Sequence, residues 1–284
     1  GKSVININAT ILKLSKTAQE EISLKCLPNM SFFAARNQVN LAIPEIDTAK
    51  DWMREKILPN ITPDTQMFVY ASERMAKDAR LRDYMLDFVH RADFNITGVK
   101  SDIIKEQMSP ELVNYLMAND NIPAAEKDRL LKDQSYETIE TSFEHTVHNE
   151  RGEEKYVLPT ELQSDGTRRT IGVEAAIYSA IEKEAFLYID EVEASLHPEL
   201  VEFILHRFLY TKNRSQLLVT THYDPLLNTI DDLLRRDSIW FTDKKESGAS
   251  IVYSLVEFKG LKRIASLQKA YRNGLFGALP NIKG

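Results

Sequence analysis

Two adjacent carboxylates at the end of an apolar run mark where this sequence could do chemistry. Phe186-Leu187-Tyr188-Ile189 leads straight into Asp190-Glu191. In open α/β folds, residues at the carboxyl ends of strands project into the crevice where ligands bind. An Asp there can hold Mg²⁺, usually through water, because the ion prefers hard oxygen ligands. The adjacent Glu can orient and deprotonate an attacking water. Taken alone, the pattern is equally that of a buried strand followed by a solvated acidic turn.

Three further segments bear on that reading. Just downstream, Ala194-Ser195-Leu196-His197-Pro198 forms a loop whose proline starts the next helix. A second apolar strand, Leu217-Leu218-Val219, ends in Thr220-Thr221-His222. A histidine at a sheet's end beside a phosphate site can donate a hydrogen bond to a γ-phosphate, although a lone one is more often a surface or capping residue. Upstream, Ser164-Asp165-Gly166-Thr167 opens a helix. Free N–H groups and the positive dipole end at such a helix start suit a phosphate. Taken alone, Ser164 or Asp165 reads as an ordinary N-cap.

The elements that must position these residues follow from hydrophobic periodicity. An α/β series is predicted as helix over 166–183, strand over 185–189, helix over 198–210, strand over 216–219 and helix over 225–234. This alternation implies a largely parallel, buried sheet. Residues 137–148 and 155–158 flank Asn149-Glu150-Arg151-Gly152 as a hairpin, and 238–242 with 251–255 form a second. Earlier in the chain we expect a strand over 3–11, a helix over 12–27, a buried strand over 30–35, a helix over 46–57 and a strand over 67–70. Residues 72–134 read as mostly helical, and 261–272 as a last helix. The expected organisation is a first core segment over 1–71, a helical insertion over 72–135 and a C-terminal lobe over 136–284.

Composition narrows the class. A net charge of −6 argues against a strongly basic nucleic-acid-coating protein. The lone Cys26 cannot form an internal disulfide, which fits a reducing compartment. The sequence has neither a bilayer-spanning apolar run nor a signal peptide, so a cytoplasmic protein without membrane contact is expected.

The helix-opening serine turn, the Asp-Glu strand, the loop and the histidine occur in a fixed order, and with them the chain resembles the ABC-type ATPases that include SMC, RecF and OLD-like proteins. The tail resembles the AAA-type members found in bacterial abortive-infection and anti-phage loci. It includes 234–241, 248–255 and Tyr271-Arg272-Asn273-Gly274-Leu275-Phe276-Gly277-Ala278-Leu279-Pro280. The resemblance implies an α/β P-loop NTPase with ATP and Mg²⁺ as cofactors. Asp190 would hold Mg²⁺, Glu191 would be the catalytic base and His222 would sense the γ-phosphate. Ser164, Asp165, Gly166 and Thr167 would form the signature, contacting ATP bound by the opposite subunit. Ser195 and His197 would belong to the loop crossing between subunits. Gln38 is a weak candidate for the lid glutamine. The partners implied are a second copy, or a higher homo-oligomer with ATP at the interface, and a separate effector, a nuclease or toxin.

The phosphate-cradling loop G-x-x-x-x-G-K-[ST] is not complete in this sequence. Gly1-Lys2-Ser3 is either its end or an accident. The β-branched residues of Val4-Ile5-Asn6-Ile7-Asn8 favour the accident, since a helix should follow the lysine. On that reading a segment carrying the loop is expected outside this chain. OLD-like nucleases continue into a second acidic domain, for which 256–284 is too short. Two alternatives stand: a SMC- or RecF-like DNA maintenance ATPase, which predicts a basic DNA-facing groove, and a catalytically weak scaffold.

Overall fold

A computed structural model describes residues 4–6, 8, 14–40, 43–92, 95–119, 121–123, 127–128, 132, 135–150 and 152–280. Gly1-Lys2-Ser3 and most of the strand expected over 3–11 lie outside the described residues.

The architecture is mixed α/β around one long buried helix. Helices α1 (Lys16–Lys25), α2 (Phe32–Arg36), α3 (Pro44–Lys56), α4 (Met67–Lys77) and α5 (Ala79–Arg91) come first. Strand β1 (Ile96–Gln107) and helix α6 (Pro110–Ala118) follow, then the hairpin β2 (Ser135–Asn149) and β3 (Gly152–Pro159). The region of chemical interest holds α7 (Asp165–Lys183), β4 (Phe186–Ile189), α8 (Pro198–Tyr210) and β5 (Gln216–Val219). Strands β6 (Trp240–Lys244) and β7 (Ser250–Ser254) and helix α9 (Leu267–Arg272) close the described chain.

Among the described residues the sheets are small and of mixed direction, so the expected largely parallel sheet is not seen. Strand β4 pairs in parallel with β5, from Phe186 opposite Gln216 to Ile189 opposite Val219. Its other edge forms parallel bridges with Ile57 and Ile61. The longest pairings are antiparallel, in the three-stranded sheet β1-β2-β3, and β6-β7 is an antiparallel hairpin. Among the described residues, the parallel strand pairing lies in the segment that carries Asp190.

Several elements differ from their local sequence signals. Residues 96–107 are strand, not helix: pairing along most of β2 satisfies their backbone, and that non-local partner outweighs helix propensity. Residues 67–70 begin α4, whose Ala71, Ser72 and Met75 are buried at helical spacing. The run over 30–35 also turns helical, because Ser31 caps it by accepting the Ala34 N–H at 3.2 Å. The helix expected over 225–234 is a short 3-10 turn, Asp224–Asn228, followed by an Ile230–Leu234 bridge. Over 261–272, a 3-10 turn precedes α9, which Ser266 caps. The expected hairpins are present, with Asn149 opposite Gly152 in the first.

Helix α7 dominates the core. Every residue from Thr170 to Ile177 is buried. It packs against α4, α5, α8 and β4 in the main apolar cluster, which includes Met75, Leu81, Phe88, Ile171, Leu187 and Ile204. Gly172 allows the closest approach. A Cβ there would lie 2.6 Å from the Met67 Cβ and 2.8 Å from the Met67 carbonyl carbon. A second cluster surrounds Phe241, whose ring stacks on Tyr271 and Phe276.

Charge is also buried in this core. Glu174 of α7 is 0% exposed. Tyr84 of α5 donates to its Oε1 at 2.5 Å, and Arg207 Nε of α8 lies 3.5 Å from the same oxygen. The guanidinium of Arg207 also stands over the Tyr84 and Phe88 rings, 4.9 and 5.3 Å from their centroids, and donates to Asp87. Burial pushes the Glu174 carboxyl up from 4.5 to about 7, only partly opposed by Tyr84 and Arg207. Burial and the neighbouring carboxylate together push the Tyr84 phenol up.

Two outcomes are expected. Gly172→Ala should destabilise the fold by about 1–3 kcal/mol, because the added methyl meets backbone as well as side chain, and urea unfolding will measure it. Glu174 should produce an unusual pH dependence. Its folded value lies above its unfolded one, so the folded state holds the proton longer. Stability should therefore fall as pH rises from 4.5 to about 7, then level off. The expected slope is roughly 1.4 kcal/mol per pH unit within that window. Comparison of unfolding curves at several pH values with those of Glu174→Gln, which should lack this component, checks it.

Candidate functional site

The site forms where β4 and β5 end together. The last β4 carbonyl, Ile189 O, accepts the Thr220 N–H at 3.0 Å, and Thr220 O accepts the Val192 N–H at 3.1 Å. On the opposite edge, Ile61 O accepts the Asp190 N–H at 2.7 Å. These bonds fix the backbone on both sides of Asp190-Glu191.

Side chains complete the frame. Thr220 donates its hydroxyl to Asp190 Oδ1 at 2.5 Å and accepts the Glu191 N–H at 2.9 Å. Tyr188 donates to the same Asp190 oxygen at 2.8 Å. The Thr220 and Tyr188 hydroxyls, with a smaller contribution from the charge of His222, hold the Asp190 carboxyl below its ordinary value. Among the described residues no hydrogen bond is made to Asp190 Oδ2. An ionised carboxylate with one oxygen oriented and the other open fits Mg²⁺, which commonly takes one or two protein carboxylates beside substrate phosphates. No group of three or more acidic, histidine or cysteine side chains suited to a metal occurs among the described residues.

The chain turns sharply beyond the strand. Glu191 has φ +46 and Ser195 φ +59, both left-handed. For residues with a Cβ this conformation costs about 1–2 kcal/mol each. It leaves the Glu191 side chain exposed at the strand end. Val192 and Leu196 are buried and anchor the turn. His197 is the N-cap of α8: its Nδ1 accepts the Glu199 N–H at 3.3 Å, and Pro198 follows at the first helical position.

At the start of α7, Ser164 is the N-cap. Its Oγ accepts the Thr167 N–H at 3.0 Å and shares a 2.8 Å hydrogen bond with the Thr167 hydroxyl. Ser164 is exposed, whereas Thr167 is buried with its hydroxyl turned to Ser164. Asp165 is exposed and paired with Arg168. A Cβ on Gly166 would lie 3.0 Å from the Ser195 carbonyl oxygen, so the turn opening α7 and the loop after Glu191 touch in this one chain.

Asp190, Glu191 and Thr220 are thus joined directly, as are Gly166 and Ser195. The exposed His222 side chain is linked through its backbone, which donates to Glu193 Oε1 at 2.6 Å. Gln38 stands apart: its amide nitrogen lies 3.9 Å from the Met30 sulfur, beside the small cluster formed by α1 and α2. Sequence reasoning missed Tyr188, Glu193 and the bridging role of Thr220. For Thr220 a signal existed, a hydroxyl residue at the end of the neighbouring parallel strand.

Residues 69–228 match the family model described as "AAA domain, putative AbiEii toxin, Type IV TA system". The match covers more than half of the 284-residue chain. The chain belongs to this AAA family. The matched span starts in α4 and contains the start of α7, the Asp190-Glu191 turn, Ser195, His197 and His222, whereas Ile61 lies before it. No curated protein matches the chain. Among the described residues no helix of this AAA protein is long and apolar enough to cross a membrane.

The Thr220 bridge yields a measurable expectation. Thr220→Val keeps the shape but removes the hydroxyl that chiefly lowers the Asp190 carboxyl. The Asp190 titration should move upward toward the ordinary carboxylate range, and carbon-detected NMR of the Asp190 side chain will follow it.

Proposed function

We propose that this chain is a subunit of an ABC-type ATPase that binds and hydrolyses ATP across an interface between two copies. One observation carries the reading: a single threonine hydroxyl bridges the Asp190 carboxylate and the Glu191 backbone at the end of parallel strands. In this family context Asp190 holds Mg²⁺, which neutralises phosphate charge when bound. Glu191 accepts the proton of the attacking water, and His222 donates to the γ-phosphate. Ser164 and Gly166, with Asp165 and Thr167 in the same turn, face ATP held by the second copy. Ser195 and His197 line the crossing segment. The exposure of Ser164 at a helix start suits that role, since such an end is favourable for anions.

The finer reading places the protein with SMC-, RecF- and OLD-like ATPases, as the sensor or regulator of an anti-phage, abortive-infection system. There it would hold or release a separate nuclease or toxin effector. The family description, which names a toxin of a type IV toxin–antitoxin system, supports this direction. Cycles of closure on ATP and opening after hydrolysis would switch the effector surface.

Glu191→Gln in the full-length protein should lower turnover by about 10²–10⁴-fold, the usual scale for removing a general base, while leaving ATP binding intact. Phosphate release and fluorescent-nucleotide binding are the measurements. Unchanged hydrolysis would refute the role of Glu191. Absence of turnover in the parent protein, alone and with the product of the neighbouring gene, would favour the scaffold.

A further inference from the structure

Glu193 stands two residues beyond the proposed catalytic base in the turn that follows β4. The turn is closed by the Ala194 N–H on Glu191 O and the Leu196 N–H on Glu193 O, both 2.9 Å. From that turn the Glu193 carboxylate reaches to the segment after β5 and accepts the His222 backbone N–H at 2.6 Å through Oε1. Its Oε2 is buried without a hydrogen-bond partner.

A buried oxygen left unpartnered typically costs about 1–3 kcal/mol. A threonine or asparagine could accept the same N–H without introducing a charge. What the carboxylate adds is the strength of a charge-assisted bond, about twice that of a neutral one. Such a bond matters most where the chain has left the sheet. The pairing with β4 ends at Val219, Thr220 retains one sheet-like bond on each side, and the next helical turn starts at Asp224. Between them, the neighbouring bonds are short-range: Tyr223 N–H to the Thr221 hydroxyl, and Asp224 N–H to His222 O. Neither ties His222 to the Glu191 turn.

We infer that Glu193 is a positioning residue for His222, clamping the histidine backbone to the turn that carries Glu191 and Ser195. The inference rests on the ATPase reading above for its catalytic consequence. Displacement of the turn at Ser195, where Gly166 also touches it, is transmitted to the γ-phosphate-facing histidine through this carboxylate. Glu193 itself contacts no reacting atom.

The test uses the full-length protein with Glu193→Ala and Glu193→Gln, the latter keeping an acceptor oxygen. Glu193→Ala should lower kcat about ten-fold or more, on the scale of losing a charge-assisted hydrogen bond. KM for ATP and the melting temperature should remain near the parent values, and Glu193→Gln should recover most of the lost kcat. A purely structural role would instead lower stability, or kcat and KM together. In parallel, hydrogen exchange at the His222 amide, followed by NMR, should accelerate in Glu193→Ala and not in Glu193→Gln. Parent kcat in Glu193→Ala, or equal impairment in both variants, overturns the inference. If the parent protein itself shows no turnover, the ATPase reading fails, and the amide exchange decides the clamp alone: unchanged exchange in Glu193→Ala overturns it.

Discussion

The parallel pairing of β4 with β5 is the constraint on which the site depends. Ile189 and Val219 end in register, so the residues that follow them emerge side by side. A one-residue slip would move Thr220 away from Asp190 and turn every side chain of one strand to the opposite face. The register is secured by apolar burial: Leu187 and Ile189 are almost wholly enclosed beneath α7. The hydroxyl bridge between Asp190 and Glu191 is therefore a product of core packing, not a local property of the acidic pair.

Helix α7 is where packing and site meet. Its first turn presents Ser164 and touches the Ser195 carbonyl, while its middle is enclosed on all sides. The sealed Glu174–Tyr84–Arg207 group ties it to α5 and α8. Both α7 and α8 begin in segments that the proposed function puts at an interface between copies, and on that proposal the buried group lies between two helices that would report partner contact. Replacing such a cluster by apolar side chains is often neutral or stabilising for the fold.

Much of the site was legible because its signals are local. Apolar runs ending in Asp190-Glu191 and in Thr220-Thr221-His222 identify strand ends without knowledge of their neighbours, and Ser164 followed by a long apolar period marks a helix start. What escaped depended on distant partners. Strand β1 reads as helical until β2 is placed beside it, and the start of α4 reads as a strand because Phe68, Val69 and Tyr70 have high strand propensity until Gly172 and α7 reveal the face it packs against. Glu193 escaped because nothing within its own turn announces an amide 29 residues away.

The contact between Gly166 and Ser195 has an evolutionary consequence. A side chain at position 166 would press on the Ser195 carbonyl oxygen and push the loop that carries it aside. The loop in turn is held by buried Val192 and Leu196. Drift at position 166 therefore requires compensating drift in the path of a loop nearly thirty residues later. The two segments form one unit of inheritance, and among related sequences a departure from glycine at the first should be accompanied by altered length or residue size in the second.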